Sequence, residues 1–359
     1  MRFDEDNGTL FGTIKISVEE KGFLGMQEVT FDLQTITPLF MAGADQAAAE
    51  LRAPSFRGLM RYWLRALVGG SLGTSGDGLK RVKDIETAVF GATDTGSAVQ
   101  IRVSGQPTRL EEFKRDSLRR GESGKDYLLW SLDQFRDKPR RRGFPQNYTF
   151  QVALSTHNMD DTTFKQSIAA FWLLTHLGGV GSRSRRCAGS LQATGDITTL
   201  PFDIPQTVQV LQDQLTRGIQ IARNLYALQS LPLREATFDA LSSTTSRIWI
   251  LRNGEGTWSN ADQVMRDIGA SLQDYRRSIN PIQKRKIFGL PLKDVDMRAR
   301  RSSPLLLRIT KLQGEEYVGI AVLFKTKVET RTDHFSTADY ALIEKWVTQG
   351  FPKALGVKL

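Results

Sequence analysis

The chain has 359 residues, a formal charge of +10 and a pI near 9.7. With 40% apolar and 25% charged residues it reads as a folded, soluble chain of about two domains, which excludes collagen-like, mucin-like and wholly disordered architectures. One cysteine, Cys187, excludes an internal disulfide and a cysteine-based zinc site, and the nearly apolar run from Ile168 to Gly181 is short of the ~18–20 residues of a membrane span.

The start of the chain (Met1-Arg2-Phe3-Asp4-Glu5-Asp6) has no apolar core of a secretory signal. With the lone cysteine this predicts a cytoplasmic protein with no membrane partner, no metal and no cofactor. Residues 28–36 alternate, with Val29, Phe31 and Leu33 on one face and Glu28, Thr30 and Asp32 on the other, as in a half-buried strand. After a loop with Pro38, Gly43 and Pro54, a helix is predicted from Ser55, as N-cap, to about Val68. Val99, Ile101 and Val103 predict a second strand. A polar, basic insertion follows over about 106–145, with one short helix expected near Leu128 to Phe135. Tyr148, Phe150, Val152 and Leu154 make a third strand, Asp161 or Thr162 caps a helix that Gly178 ends, and 190–194 supplies a fourth strand.

The order is β-α-β, insertion, β-α-β, the split pattern of a ferredoxin-like domain. After a helical connector over 206–228 the pattern returns: a strand at 247–251, a helix from Asn260 to about Ile279, strands at 305–310 and 317–324, a helix over 337–347 and a last strand at 355–359. The fold class is therefore α+β with two tandem ferredoxin-like, RRM-like βαββαβ domains, over 1–200 and 201–359. Such a sheet keeps one face clear of helices, and RNA-recognition domains use that face.

Basic residues cluster at Arg140 to Arg142, at Arg183, Arg185 and Arg186, at Lys284 to Lys286, and at Arg298, Arg300 and Arg301. The arginine fork suits phosphate, so the expected partner is a nucleic acid. At about 100° per residue, Arg57, Arg61 and Arg65 share an arc of about 80° on the first helix, opposite Phe56, Met60 and Trp63. No acidic residue lies between Arg52 and Arg65. In the loop Gly178 to Gly189 the glycines would let backbone approach a ligand and Arg183, Ser184, Arg185 and Arg186 would add donors. That loop follows a helix and precedes a strand, the reverse of a Rossmann or P-loop cradle, and Gly121 to Lys125 has the wrong spacing for one. Cys187 beside these arginines is either a low-pKa thiol or a small packing residue.

The segments Thr37-Pro38-Leu39-Phe40-Met41-Ala42-Gly43-Ala44-Asp45-Gln46 and Glu50-Leu51-Arg52-Ala53-Pro54-Ser55-Phe56-Arg57-Gly58, with Arg61, Trp63, Arg65 and the glycine-rich loop, resemble the RAMP superfamily of CRISPR systems. Within it the combination, with Phe288 to Leu292 and Arg300 to Pro304, is most similar to the family of first RAMP subunits of type III-B (Cmr) effectors. The resemblance implies tandem ferredoxin-like domains and a non-catalytic subunit of an antiviral ribonucleoprotein. It implies binding of CRISPR guide RNA near its 3′ end, help in capturing target RNA, and contact with other RAMP subunits. The expected RNA-binding residues are Arg52, Ser55, Arg57, Arg61, Arg65, Gly179, Gly181, Ser182, Arg183, Ser184, Arg185, Arg186, Arg141, Arg300 and Arg301, engaging phosphates mostly without reading bases. Phe40, Tyr148 and Phe144 are candidates for base stacking. Only His157, His176 and His334 could do acid–base work near pH 7, which argues against an enzyme. The alternative, a RAMP-type endoribonuclease that processes guide RNA, would rest on His157, since His176 reads as packed in its helix.

Overall fold

The computed structural model describes residues 27–45, 48–105, 110–119, 122–134, 139–157, 161–229, 233–292, 296–329 and 334–359. The N-terminal residues behind the signal-peptide expectation lie outside these. The first half comprises β1 (Gln27–Thr35), α1 (Ala53–Leu72), α2 (Gly76–Phe90), β2 (Gln100–Ser104), β3 (Glu111–Glu112), α3 (Gly124–Leu129), β4 (Arg142–Gly143), β5 (Thr149–Thr156), α4 (Asp161–Leu177) and β6 (Leu191–Thr194). Then come α5 (Val208–Leu225), β7 (Ser246–Leu251), α6 (Ala261–Ser278), β8 (Leu290–Leu292), β9 (Asp296–Arg301), β10 (Leu305–Lys311), β11 (Tyr317–Phe324), β12 (Val328–Glu329), β13 (His334–Phe335), α7 (Ala341–Gly350) and β14 (Leu355–Gly356). The α+β expectation holds.

Two four-stranded sheets organise the chain, in the orders β2-β5-β1-β6 and β10-β11-β7-β14, with every pairing antiparallel. In each, the second and third strands pair, the first lies beside the third, and the fourth closes the far edge. The alternation read in β1 is the reason it sits where it does: Phe31 and Leu33 are buried while Thr30 and Asp32 are exposed. Phe31 packs 4.6 Å from Phe171 of α4, and Phe56 of α1 packs 6.1 Å from Phe150 of β5.

The two sheets differ on their second face. On the first sheet it is wet, a concavity of about 600 Å³ lined in part by Asp32, Gln34, Gln151 and Thr194. The second sheet is covered on both faces, and all eight residues of β11 are buried. Val318, Ile320, Val322 and Phe324 join the core of the first half, with Phe324 6.1 Å from Trp63. Tyr317, Ala321 and Leu323 join a second core with Ile268 of α6 and Trp346 of α7. The expectation of a free RNA-facing sheet surface is thus corrected for the second sheet: a strand with apolar residues at every position has two faces to bury, and the first half supplies the cover.

Local departures have physical causes. Helix α1 starts three residues early, with Arg52 in place of Ser55 as N-cap and Pro54 in the first turn, where its missing N–H is no loss. Ser55 is therefore inside the helix and caps nothing. Helix α2 was not expected. The insertion helix begins at Gly124, where Ser123 Oγ accepts from Asp126 N at 3.1 Å. It docks on α6 so closely that a Cβ on Gly269 would meet Gly124 Cα at 2.8 Å. Lys125 Nζ to Asp262 (3.0 Å) and Arg266 Nε to Asp116 (2.5 Å) fasten the dock. The insertion is in chain order part of the first half, but it packs on the second.

Candidate nucleic-acid interface

The α1 arginines face α2. Arg61 Nε and Arg65 Nη1 both donate to Glu86 Oε1, at 2.6 and 2.9 Å, and the Glu86 side chain is only 7% exposed. Arg61 also donates to the carbonyls of Phe90 and Gly91 at the end of α2, and Arg57 donates to Val99 O at 3.3 Å. These arginines close the carbonyl end of one helix and clamp it to another, a structural use of the charge. Arg52 pairs with Glu50 at 2.9 Å. Of the expected phosphate rail, Arg57, Arg61 and Arg65 are thus engaged within the protein, and the acidic partner of the last two comes from a helix the sequence reading missed.

The glycine-rich loop lies on another side of α1, against Tyr62 and Trp63. Its glycines are used internally. At Gly181, with φ +83°, a Cβ would stand 2.5 Å from Phe40 O, and at Gly179 it would press on the carbonyls of Ser184 and Ala188. Ser182 N donates to Phe40 O (2.7 Å) and Gly189 N to Pro38 O (2.9 Å), so the loop folds down on the Thr37–Phe40 segment. The reading in which Gly179 and Gly181 leave room for a ligand is replaced by one in which they leave room for this segment. Cys187 is fully buried, and burial pushes its thiol up to about 12, so it is the packing residue of the two alternatives.

The end of the loop then joins the second sheet. Arg186 bridges Leu307 in parallel, with Cys187 N donating to Leu307 O at 2.8 Å. That covers the exposed edge of β10. Arg186 is 9% exposed and its Nη1 donates to Leu305 O (2.9 Å) and Arg185 O (3.0 Å). Arg185 donates to Ser303 O (2.7 Å), Tyr62 Oη (3.2 Å) and Asp239 (2.8 Å). Burial works against the Arg185 cation, but Tyr62 and Asp239 outweigh it and hold it charged.

What this seam builds is a cleft of about 410 Å³ between the loop, the insertion and the 288–303 segment. Arg183, Arg185, Arg186, Arg276 and Arg301 line it, and no described lining residue is acidic. Ser184 also lines it, while Ser182 is exposed beside it in sequence. Arg183 Nε donates to Leu128 O at 2.7 Å. Arg276 donates to Tyr127 Oη at 2.5 Å and lies 5.5 Å from the Phe288 ring centroid, and Arg301 lies 4.6 Å from that of Phe335. Burial lowers the Arg186 guanidinium to about 9, with Arg183 and Arg276 adding repulsion. Burial lowers Arg183 to about 10, and Arg276 repels it as well. Cations crowded in this way form a site that an anion would relieve.

Of the fifteen residues expected from sequence, Arg183, Ser184, Arg185, Arg186 and Arg301 line this cleft. Arg300 is exposed, next to Arg301 in sequence. Arg141 does not line it; its backbone N–H and carbonyl pair with Leu132 and Phe113. Sequence reading missed Arg276 and the aromatics Tyr127, Trp130 and Phe288. The signal available was arginine in the last turn of a capped helix, followed by the Phe288-Gly289 step. Phe40 and Phe144 are buried, and Tyr148 packs against Phe150 at 6.0 Å. His176 lies inside the molecule, stacked 4.4 Å from Trp172, and burial and Arg308 lower it to about 3. His157 is exposed at the end of β5. Among the described residues no group of three metal-ligating side chains gathers, and no helix is long and apolar enough to cross a membrane.

Comparison with known proteins bears on this arrangement. The model of the RAMP superfamily matches residues 32–192, from β1 through the glycine-rich loop to β6. The Pyrococcus furiosus CRISPR system Cmr subunit Cmr1-1 is 28% identical over 325 residues, 85% of this chain and 90% of that protein. Subunit Cmr1-2 of the same organism is 35% identical over 188 residues, 46% of this chain and 95% of its own length. The crystal structure of Pyrococcus furiosus Cmr1 in its apo form superposes with a TM-score of 0.66 at 24% identity, covering 92% of this chain and 98% of that one. A chain in the cryo-EM structure of a type III-B Cmr-beta complex bound to cognate target RNA shares the fold, with a TM-score of 0.56 at 12% identity and coverage of 89% and 100%. The chain belongs to the RAMP superfamily, in the Cmr1 family of CRISPR proteins.

Proposed function

We propose that this subunit holds RNA by its sugar–phosphate chain in the arginine cleft, gripping guide RNA near the 3′ end and helping to capture target RNA beside other RAMP subunits. It does so without catalysis. The observation that carries this is the crowding of Arg183, Arg186 and Arg276, which repel one another in a cleft with no described acidic lining. Such a site favours a polyanion and asks nothing of base identity. Arg301 and Ser184 complete the grip, and Ser182 and Arg300 extend it at the rim. Arg185 and Arg186 act from behind, by shaping the loop.

The strand order of each sheet, with a helix after the first strand and another between the third and fourth, supports two tandem ferredoxin-like units, residues 1–200 and 201–359. The cleft sits where they join. The RNA named with the Cmr-beta structure and the subunit names of the Pyrococcus relatives favour the same reading.

The test is filter binding of labelled single-stranded RNA to the full chain at several salt concentrations. Replacing Arg276 and Arg301 together by Gln should weaken binding and flatten the slope of log K against log salt by about 0.7 for each phosphate no longer neutralised. An unchanged slope would overturn the assignment.

A further inference from the structure

We propose that the cleft takes one unpaired nucleotide, with its base stacked on Trp130 and its phosphate against Arg183 and Arg276. This deepens the RNA reading above and rests on it. Trp130 opens the short turn Trp130–Leu132 after α3 and is 46% exposed. Among the described residues it is the one exposed tryptophan. A large aromatic left wet costs burial energy that this chain recovers for its other large rings. Here the ring stands in a basic cleft, and the Arg183 guanidinium lies 5.9 Å from its centroid.

The pair is built, not incidental. Arg183 Nε is tied to the carbonyl of Leu128, two residues before Trp130, so cation and ring are fixed to one short piece of backbone. That piece is anchored in turn. Gly124 and Gly269 bring α3 against α6, and the buried Asp126 carboxylate accepts from Asp116 N (3.0 Å) and Ser117 N (3.1 Å) to hold the preceding loop. Arg276, reaching from α6 to Tyr127 Oη, completes a charged floor. Of the three aromatics that line the cleft, Phe288 is buried and Tyr127 is half-buried, which leaves Trp130 as the platform. The volume of about 410 Å³ suits one small ligand-sized group, so the strand enters as an unpaired nucleotide and not as a duplex. Stacking on a π-face with phosphate on arginine is tolerant of sequence, as a subunit that must accept many guides requires.

The test compares the full chain with Trp130→Leu on two probes: a short single-stranded oligoribonucleotide, and the same oligonucleotide made abasic. Affinity and tryptophan fluorescence are both read. The wild-type chain should prefer the base-bearing probe by about 5- to 150-fold, the value of one base stack, with quenching that the abasic probe does not give. Trp130→Leu should lose both the preference and the quenching, and Trp130→Tyr should restore most of the preference. If Trp130→Leu keeps the preference, the stacking proposal falls while the cleft stands. If Arg276→Gln leaves the affinity for both probes untouched, the RNA reading and this proposal fall together.

Discussion

Arg57, Arg61 and Arg65 on α1, and Arg183, Arg185 and Arg186 in the loop 178–189, look alike in the sequence: three arginines each, on stretches without a carboxylate. The fold gives them opposite surroundings. Glu86, 21 residues beyond Arg65, comes back on α2 and takes two of the first set. The loop set meets Arg276 and Arg301 from the far half, and one carboxylate, Asp239, holds Arg185 alone. The lesson is that an excess of charge is a property of a surface. A run of like residues becomes a phosphate site only when the segments packed beside it add cations and withhold anions.

This contrast can be broken or sharpened. The largest effect is expected from Arg186→Ala, which leaves Leu305 O without its donor and opens a gap at the seam. Relief of a desolvated cation offsets part of the loss, so the net cost should be about 2 kcal/mol of unfolding free energy in urea. Wild-type stability with weakened RNA binding would instead make Arg186 a direct contact. Next comes Glu86→Gln, which keeps an acceptor oxygen but strips the shared negative charge from Arg61 and Arg65. Both arginines are partly wet, at 31% and 42% exposure, so the stability loss should be about 1 kcal/mol. The freed cations should also make RNA binding steeper in salt. A slope no steeper than wild type would mean that neutralisation by Glu86 does not govern what the α1 arginines contribute to RNA binding.

The smallest effect is with pH. Arg183 at about 10 and Arg186 at about 9 lose their protons as pH rises, well before an ordinary guanidinium does. RNA affinity should therefore fall as pH rises from 8 towards 10, while a bound strand should hold those protons on. A flat profile over that range would remove these two cations from the site.

The framework was legible because it rests on local pattern. Period-two alternation located β1, β2 and β5, and Asn260 marked the start of α6, where its side chain accepts from Gln263 N at 2.9 Å. Helix α2 has no expectation in the sequence reading, although Val82, Ile85 and Val89 share a helical face; its start carries two helix-breaking glycines, Gly76 and Gly78. The hairpin of β8 and β9 was missed for a similar reason, since its strands are short and interrupted by Pro291. The arginine loop was legible as charge and not as shape. Nothing near Arg183 in the chain indicates that Leu128 will take its Nε or that Arg276 will stand beside it. Those contacts follow from the insertion docking on α6, a tertiary event with no periodic signature.

The parallel bridge between Arg186 and Leu307 ties the cleft to the molecule as a whole. The cleft is lined from both halves of the chain, so neither half made alone could display it. Closing the seam brings together cations that resist being gathered, and a bound strand removes that resistance. On the proposed reading RNA is a clasp as much as a cargo: occupancy should raise the melting temperature of both halves in one step, and a chain that has lost its strand should be the one most ready to come open.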